Sequence, residues 1–236
     1  CNIRDVFGPV KTWDVFIYNH LDKKKVAVPP RSKKLTGEFQ GAWVKDVTPG
    51  MYGWGMSFDF ASLYPTIIRQ WNISPETLVK EYSEQIKVDD VVNCEEGLSH
   101  YASENDYTIA ANGSMYRKDK KGILPELMEF LMVGRKVAKK EMLKIEQQYQ
   151  DTHDESLQPK IAALNNRQLA LKILANAGYG AITNAGFRYF DLRIGEAITL
   201  TGQASDRHIE KSLNEYMNEL MKTDSIDYVT YGDTDS

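Results

Sequence analysis

The chain has 236 residues, a net charge of −4, and a composition that is 42% hydrophobic and 26% charged; this excludes a disordered protein and predicts one large globular domain or two small ones. Cys1 and Cys94 are its only cysteines and its four histidines are scattered, so we expect a reducing compartment, no disulfide framework and no zinc site. We expect neither a signal peptide nor a membrane span, because no run of about twenty apolar residues occurs.

Charge is unevenly distributed along the chain. Residues 76–106 contain nine acidic residues and two lysines, a net of −7, whereas residues 117–144 contain nine basic and four acidic residues, a net of +5. Such separation of charge can give one face of the protein a positive electrostatic potential that attracts a polyanion. Composition alone favours the simpler alternative, which is two solvated helical faces.

The first part of the chain predicts a short helix followed by a linker and a strand. "KTWDVFIYNHL" indicates the helix, and Pro29-Pro30 in the following polar stretch excludes regular structure. The aromatic residues of 51–60 predict a strand that ends near Asp59. A turn at Tyr64-Pro65 comes next, and residues 76–121 are predicted to form loops and short strands.

The second part predicts long helices. Apolar residues recur at helical spacing over 125–149 and over 160–177, and the short polar connection between the two segments predicts an antiparallel hairpin. Asp191 is a candidate cap for a third helix that runs to Met221. Residues 225–231, "SIDYVTY", predict a strand.

Acidic residues stand at the ends of the two predicted strands. Asp59 closes the first, and Asp233 and Asp235 follow the last. If these strands pair, the carboxylates converge, and two of them about 4 Å apart repel by roughly 4 kcal/mol at an effective dielectric of 20. Oxygen ligands of this kind favour Mg²⁺, and a pair of ions could activate an attacking oxygen and stabilise a leaving one. The alternative is that Asp59 caps a turn and that the two later acids form a polar strand end.

Basic residues on the hairpin form a second candidate group. Arg135 and Lys139 are four residues apart, as are Lys172 and Asn176, so each pair lies on one helical face. Arginine offers a planar fork and lysine a point charge, a combination suited to a triphosphate. The alternative is two solvated faces of a hairpin.

Glycines surround Tyr179 in "NAGYGAITNAGF". With small neighbours the tyrosine ring could lie flat against a base pair, since stacking does not depend on base sequence. The segment is equally typical of a helix C-terminus that ends at glycine.

Three of these segments together resemble a known family. "DFASLYPTII", "KILANAGYG" and "YGDTDS", in this order, resemble motifs A, B and C of the family B DNA polymerases. "FQGAWV" is similar to the segment that joins the exonuclease and polymerase modules there. "SLYPTIIRQWNISPETL" and "KTWDVFIYNHL" are most similar to the replicative DNA polymerases of T-even-type tailed phages. The resemblance covers essentially the whole chain, and three motifs in order are very specific.

The resemblance implies a role for each matching residue. Asp59 and Asp235 match the carboxylates that hold two Mg²⁺ ions, for which Mn²⁺ can substitute. Asp233 matches a less directly engaged acid. Phe60 stands where the family usually has Leu, and only its carbonyl would contact metal.

The remaining matches concern nucleotide and DNA. Tyr64 matches the steric gate that excludes a ribose 2′-hydroxyl. Ala177 departs from the pattern, which has Ser there, and this puts one local hydrogen bond in doubt. The other matching residues would bind the triphosphate (Ser62, Leu63, Arg135, Lys139, Lys172, Asn176) or contact the nascent base pair and DNA (Tyr179, Gly180, Tyr231).

The implied fold is α+β: part of a polymerase palm, an antiparallel sheet with helices, and an inserted helical-hairpin fingers subdomain. Residues 1–40 would be the tail of a preceding module, 41–121 and 185–236 the palm, and 122–184 the fingers. The implied activity is DNA-templated DNA synthesis in viral replication, with primer–template DNA and dNTP as partners. We expect the cytoplasm of a bacterial host, and a sliding clamp would bind through regions outside this chain.

Three interpretations of the chain stay open. The sequence lacks the exonuclease module, the basic segment after motif C and the thumb of the family, so we expect a fragment that is inactive alone. It could equally be the N-terminal-side subunit of a split polymerase, or a non-catalytic DNA-binding fragment, whose thumb and C-terminal palm come from another chain. A metal-dependent nuclease that uses the same acids is the third interpretation.

Overall fold

Helices account for most of the fold and lie where the hydrophobic periodicity predicts them. The computed structural model describes residues 8–30, 41–81, 86–93, 97, 100, 102 and 104–233. In chain order the elements are α1 (Pro9–Lys23), β1 (Val44–Lys45), α2 (Leu63–Gln70), β2 (Leu78–Glu81), α3 (Val88–Val92), β3 (Tyr107–Ile109), β4 (Ser114–Arg117), α4 (Ile123–Thr152), a 3-10 turn (Glu155–Leu157), α5 (Gln158–Ile182), α6 (Leu192–Met221) and β5 (Gly232–Asp233). The predicted helices are confirmed, and this mixture of helices with small antiparallel sheets is the α+β class that the sequence predicts.

The ends of the long helices follow local chemistry. Asp191 caps α6 as predicted, because its Oδ1 accepts a hydrogen bond from the Arg193 backbone N–H at 3.0 Å. Pro125 and Glu126 lie in the first turn of α4, where a missing N–H costs nothing and a carboxylate interacts favourably with the helix dipole. In the described part of the chain, no helix is long and apolar enough to cross a lipid bilayer.

The strands form two small antiparallel sheets. One has the order β2-β4-β3. The other pairs β1 with β5, with Val44 opposite Asp233 and Lys45 opposite Gly232. The second sheet therefore places Asp233 against the segment around residue 44 and not against residues 51–60.

Both strand predictions at the acidic residues are wrong. Residues 51–60 form no strand, and Met51, Trp54 and Phe58 are largely exposed. A strand needs a neighbour to complete its hydrogen bonds, and in the described residues nothing pairs with this segment. Residues 226–231 are also irregular, and the strand begins only at Gly232.

Two asparagines of α6 bind the backbone of Ile226 and Tyr228, whereas the Thr230 carbonyl accepts from the Thr48 backbone N–H at 3.0 Å. Asn218 accepts from the Ile226 N–H at 3.0 Å and donates to the Ile226 carbonyl at 2.8 Å, while Asn214 accepts from the Tyr228 N–H at 2.7 Å. These bonds use backbone groups that a sheet would otherwise need. Lys45 adds an ion pair to Asp227 at 2.6 Å, which ties the segment to β1.

The main core joins α1 to the helices that follow it. Trp13 of α1 is fully buried, and its indole N–H donates to the Leu174 carbonyl of α5 at 2.9 Å. A Cβ added to Gly178 would stand 2.5 Å from Met128 Cε and 2.6 Å from Trp13 Cζ2. The absence of a side chain at Gly178 thus lets α1 and α4 approach α5. The division of the chain into modules stays a prediction.

Helices α4 and α5 form the predicted antiparallel hairpin. At its tip Met142, Ile145 and Leu164 form a separate small cluster. Helix α5 continues through Gly178 and ends at Ile182 with Thr183 as its C-cap. The segment 176–187 therefore contains the C-terminus of this helix, as predicted, but the helix does not end at a glycine.

Candidate active site

A cleft of about 630 Å³ opens between the start of α2 and the inner faces of α4 and α5. It brings together side chains that are far apart in the sequence. The lining residues are Asp59, Phe60, Ala61, Ser62, Leu63, Tyr64, Pro65, Arg135, Lys172, Asn176 and Tyr179. The cleft therefore contains most of the residues that the sequence predicts for metal and nucleotide.

The first wall, residues 59–65, is made by irregular backbone that leads into α2. Ser62 occupies the N-cap position of this helix without a capping hydrogen bond from its side chain, and its φ of 62° and ψ of 62° are a left-handed conformation that costs a non-glycine residue about 1–2 kcal/mol. The first backbone N–H groups of a helix have no partner within it and attract anions. Because Ser62 and Leu63 line the cleft, this helix end opens onto it.

Asp59 supplies the negative charge of the first wall. Its side chain is exposed, lines the cleft and forms no ion pair with any residue that the structure describes. A carboxylate beside Phe60, whose backbone contributes a carbonyl oxygen, is a donor set of the hard type that Mg²⁺ prefers.

Tyr64 and Tyr179 join the two walls. Their ring centroids are 4.4 Å apart and the ring planes are inclined by 34°. Tyr64 belongs to α2 and Tyr179 to α5, so this contact links segments more than one hundred residues apart in the chain. Burial raises the pKa of the Tyr179 phenol.

The second wall consists of side chains on α4 and α5: Arg135, Lys172, Asn176 and Tyr179. The buried Nε of Arg135 has no hydrogen-bond partner among the described residues, although buried donors are nearly always paired. Arg135 and Lys172 give this wall two cations against the single carboxylate of Asp59. Such a cleft suits a ligand that carries several negative charges.

Some predicted residues lie outside this cleft. Lys139 is exposed on α4 one helical turn from Arg135 and is not part of the lining. Gly180 is exposed on α5 and is also outside the lining. The structure thus separates Lys139 from the other predicted cations, whereas helical spacing alone had grouped them.

The acids near the end of the chain are described only in part. The Tyr231 hydroxyl donates to Asp233 Oδ2 at 3.2 Å, and the charge of Asp233 raises the pKa of Tyr231. Asp235 lies outside the described residues. Within the described ranges no group of three or more His, Cys, Asp or Glu residues could hold a metal ion. The pairing of Asp59 with Asp235 stays a prediction.

Gly202, which lies behind the cleft, was not among the residues predicted from the sequence. A Cβ added to Gly202 of α6 would stand 3.2 Å from Tyr64 Cε1. The signal was present in the sequence, because a glycine inside a 30-residue helix costs about 1 kcal/mol relative to alanine and usually has a packing reason.

The cleft brings together residues of the segments "DFASLYPTII" and "KILANAGYG" with Arg135, and comparison with protein families gives the class. Residues 12–236 match the model for DNA polymerase family B. The chain belongs to this family, which confirms the resemblance noted from the motifs.

Two phage proteins are among the relatives of this chain. The chain is 33% identical over 275 aligned positions to the "DNA-directed DNA polymerase" of Escherichia phage RB69, covering 99% of this chain and 30% of that protein. It is 34% identical over 272 positions to that of Enterobacteria phage T4, covering 98% of this chain and 30% of the phage protein.

A solved structure has a similar fold. The family B DNA polymerase of the hyperthermophilic archaeon Pyrobaculum calidifontis superimposes with a TM-score of 0.61 at 26% identity, covering 97% of this chain and 26% of that one. The chain thus spans less than a third of the length of the relatives described here.

Proposed function

We propose that this chain provides the nucleotide-binding and catalytic cleft of a DNA-directed DNA polymerase. The observation that carries the proposal is the meeting of Asp59, the start of α2 and the Arg135–Lys172–Asn176 wall in one cleft. The naming of both phage relatives as DNA-directed DNA polymerases supports it. The substrates would be a dNTP and a primer annealed to a DNA template.

The proposed reaction is nucleotidyl transfer. The primer 3′-oxygen attacks the α-phosphorus of the dNTP, a new P–O bond forms, and the bond to the pyrophosphate leaving group breaks while the hydroxyl proton is lost. Catalysis of this kind depends mainly on positioning and on charge neutralisation. Arg135, Lys172 and Asn176 would hold the triphosphate against the helix end at Ser62 and Leu63.

Metal ions would complete the cleft. We assign Asp59, the Phe60 carbonyl and Asp235 as ligands of two Mg²⁺ ions or of Mn²⁺ in their place, with Asp233 less directly engaged. Bound there, the ions would lower the pKa of the attacking hydroxyl and neutralise charge on the leaving group. The Asp59 carboxylate, which forms no ion pair within the described part of the chain, supports this assignment.

Two tyrosines would select the substrate. The ring of Tyr64 would occupy the space that a ribose 2′-hydroxyl needs, and Tyr179 would lie under the nascent base pair. Their contact at 4.4 Å supports a shared role. Gly180 and Tyr231 are assigned to the DNA contact on the basis of family membership alone.

The test replaces Asp59 by Asn in the full-length protein. Primer extension should slow by more than about 100-fold because a ligand of the reacting metal is lost, whereas primer–template affinity, measured by fluorescence anisotropy, should change little. Asp46→Asn is the matched control, since Asp46 is exposed beside β1 and is not part of the cleft. Equal losses of turnover and affinity at Asp59 would refute its assignment as a metal ligand.

The cations argue against a nuclease built on the same acids. A nuclease needs a metal and a phosphodiester but no triphosphate grip, whereas Arg135 and Lys172 line the same cleft as Asp59. A direct measurement of dNTP binding distinguishes the two activities. A polymerase should bind dNTP and should lose this binding in the Lys172→Ala variant. Binding of DNA without any dNTP affinity would favour the nuclease.

A further inference from the structure

The ring of Tyr64 is in contact with two different helices. On one side it lies against Tyr179 of α5, at 4.4 Å between ring centroids. Its Cε1 also stands 3.2 Å from the position that a Cβ on Gly202 of α6 would take. The ring of Tyr64 is therefore confined by both α5 and α6. Tyr64 and Tyr179 line the cleft, whereas Gly202 does not.

Gly202 approaches Tyr64 from the core and not from the cleft. Gly202 is buried among Thr201, Gln203 and Ala204 in the middle of α6. The other atoms near an added Cβ are Leu63 Cδ2 at 3.6 Å and Ile67 Cδ1 at 3.7 Å, which are ordinary contact distances. A methyl group at position 202 would thus press on the Tyr64 ring before it pressed on any other side chain.

The space available to this ring is small. A separation of 3.2 Å is tighter than nine in ten Cβ contacts in proteins, so the ring must give way by a few tenths of an ångström. Packed interiors transmit such displacements because they contain few voids. Since the methyl group acts from the core, the ring would move towards the cleft.

We propose that Gly202 is a positioning residue for the steric gate: its missing side chain sets how far the Tyr64 ring reaches into the nucleotide cleft, and so sets the selection between deoxyribose and ribose. This inference rests on the proposed function, in which Tyr64 is the gate. It assigns the specificity of the cleft to a residue of α6 that contacts no nucleotide.

The experiment measures single-nucleotide incorporation by the full-length protein with dNTP and with the matching rNTP. Gly202→Ala should raise KM for the dNTP about threefold or more and should lower the relative use of rNTP, with little change in kcat. Tyr64→Ala should have the opposite effect on sugar selection. In the double variant the methyl group meets no ring, so Gly202→Ala should then have no effect on selection, as expected for directly coupled residues.

Gly134→Ala is the matched control. Gly134 also lies inside a long helix, but its added Cβ would be 3.5 Å from Leu171 Cδ1, an ordinary contact. This substitution should leave sugar selection unchanged while making the same change in helix propensity.

The outcomes separate the inference from the proposed function. If Tyr64→Ala leaves sugar selection unchanged, the gate assignment itself fails. If Tyr64→Ala relaxes selection but Gly202→Ala changes nothing, or changes it equally in both backgrounds, the positioning role of Gly202 is refuted.

Thermal unfolding gives a second measurement if Gly202→Ala folds poorly. A clash with the Tyr64 ring predicts that Tyr64→Ala restores the melting temperature of the Gly202→Ala protein. A loss of stability that Tyr64→Ala fails to restore would place the clash elsewhere and would overturn the inference.

Discussion

The two walls of the cleft are built by different means. The first wall, residues 59–65, is irregular backbone that ends in a left-handed residue and the start of α2. The second wall is made of side chains that project from two long helices at helical spacing. One wall offers a carboxylate and backbone groups, and the other offers cations, an amide and an aromatic ring.

This difference determines how each wall responds to amino-acid substitutions. In the second wall each side chain contributes separately, because the helices keep their shape when one side chain is removed. In the first wall the functional groups include backbone atoms, so their placement depends on the conformation of Ser62 and on what packs behind Tyr64. We therefore expect graded effects in the second wall and conformation-dependent effects in the first.

The largest effect expected in the second wall follows from removing a cation. Arg135→Ala or Lys172→Ala in the full-length protein should lower kcat/KM for dNTP roughly 10- to 100-fold, as expected for the loss of a charged hydrogen bond of about 1.5–3 kcal/mol. Steady-state primer extension measures this.

Lys139→Ala is the control for that prediction. Lys139 lies on the same helix but outside the cleft, so its loss should change kcat/KM by less than about twofold, in line with a surface substitution. An effect at Lys139 as large as that at Arg135 would favour the grouping predicted from helical spacing over the one seen in the structure.

A smaller effect is expected where the second wall joins the core. Gly178→Ala should lower the free energy of unfolding by about 1–3 kcal/mol, because its methyl group would overlap Trp13 and Met128. Gly180→Ala, in the same helix, meets nothing within 4 Å and should instead stabilise by up to about 1 kcal/mol. Urea denaturation measures the free energy of unfolding of both variants. Equal changes in the two would show that the packing of α1 does not depend on the absence of a side chain at Gly178.

The smallest effect concerns the left-handed residue of the first wall. Ser62→Gly should be more stable than Ser62→Ala by about 1 kcal/mol, because glycine adopts φ near 62° without strain. Chemical denaturation of the two variants compares them. If alanine were the more stable, the conformation of Ser62 in solution would not be left-handed.

The predictable parts of the fold are those that depend on local sequence. Helices α4 and α5 follow from apolar periodicity, and α6 was predicted from Asp191, which was recognisable as a cap because its interaction spans only two residues. Residues 51–60 have the composition of a strand, yet a strand also needs a partner that composition cannot identify. The backbone partners of Ile226 and Tyr228 are asparagine side chains of α6, which no pairing pattern predicts.

The candidate site was predictable to a similar extent. Helical spacing paired Arg135 with Lys139 and Lys172 with Asn176. In the structure Arg135, Lys172 and Asn176 line one cleft and Lys139 does not, because two residues four apart share a helical face without lying equally close to a neighbouring helix. The motif order placed Asp59 and Tyr64 with them. The opposition of Asp59 and Asp235 stays a prediction.

The sequence by itself determined the family, the long helices and the chemical types of the groups that the cleft contains, because these depend on residue identity and on spacing within one segment. The tertiary structure alone decided which groups meet. Gly202 lies behind Tyr64, Trp13 lies against Gly178, and Tyr64 stacks on Tyr179. Such contacts depend on the packing of helices far apart in the chain, and packing is a property of shapes in space that no single segment encodes.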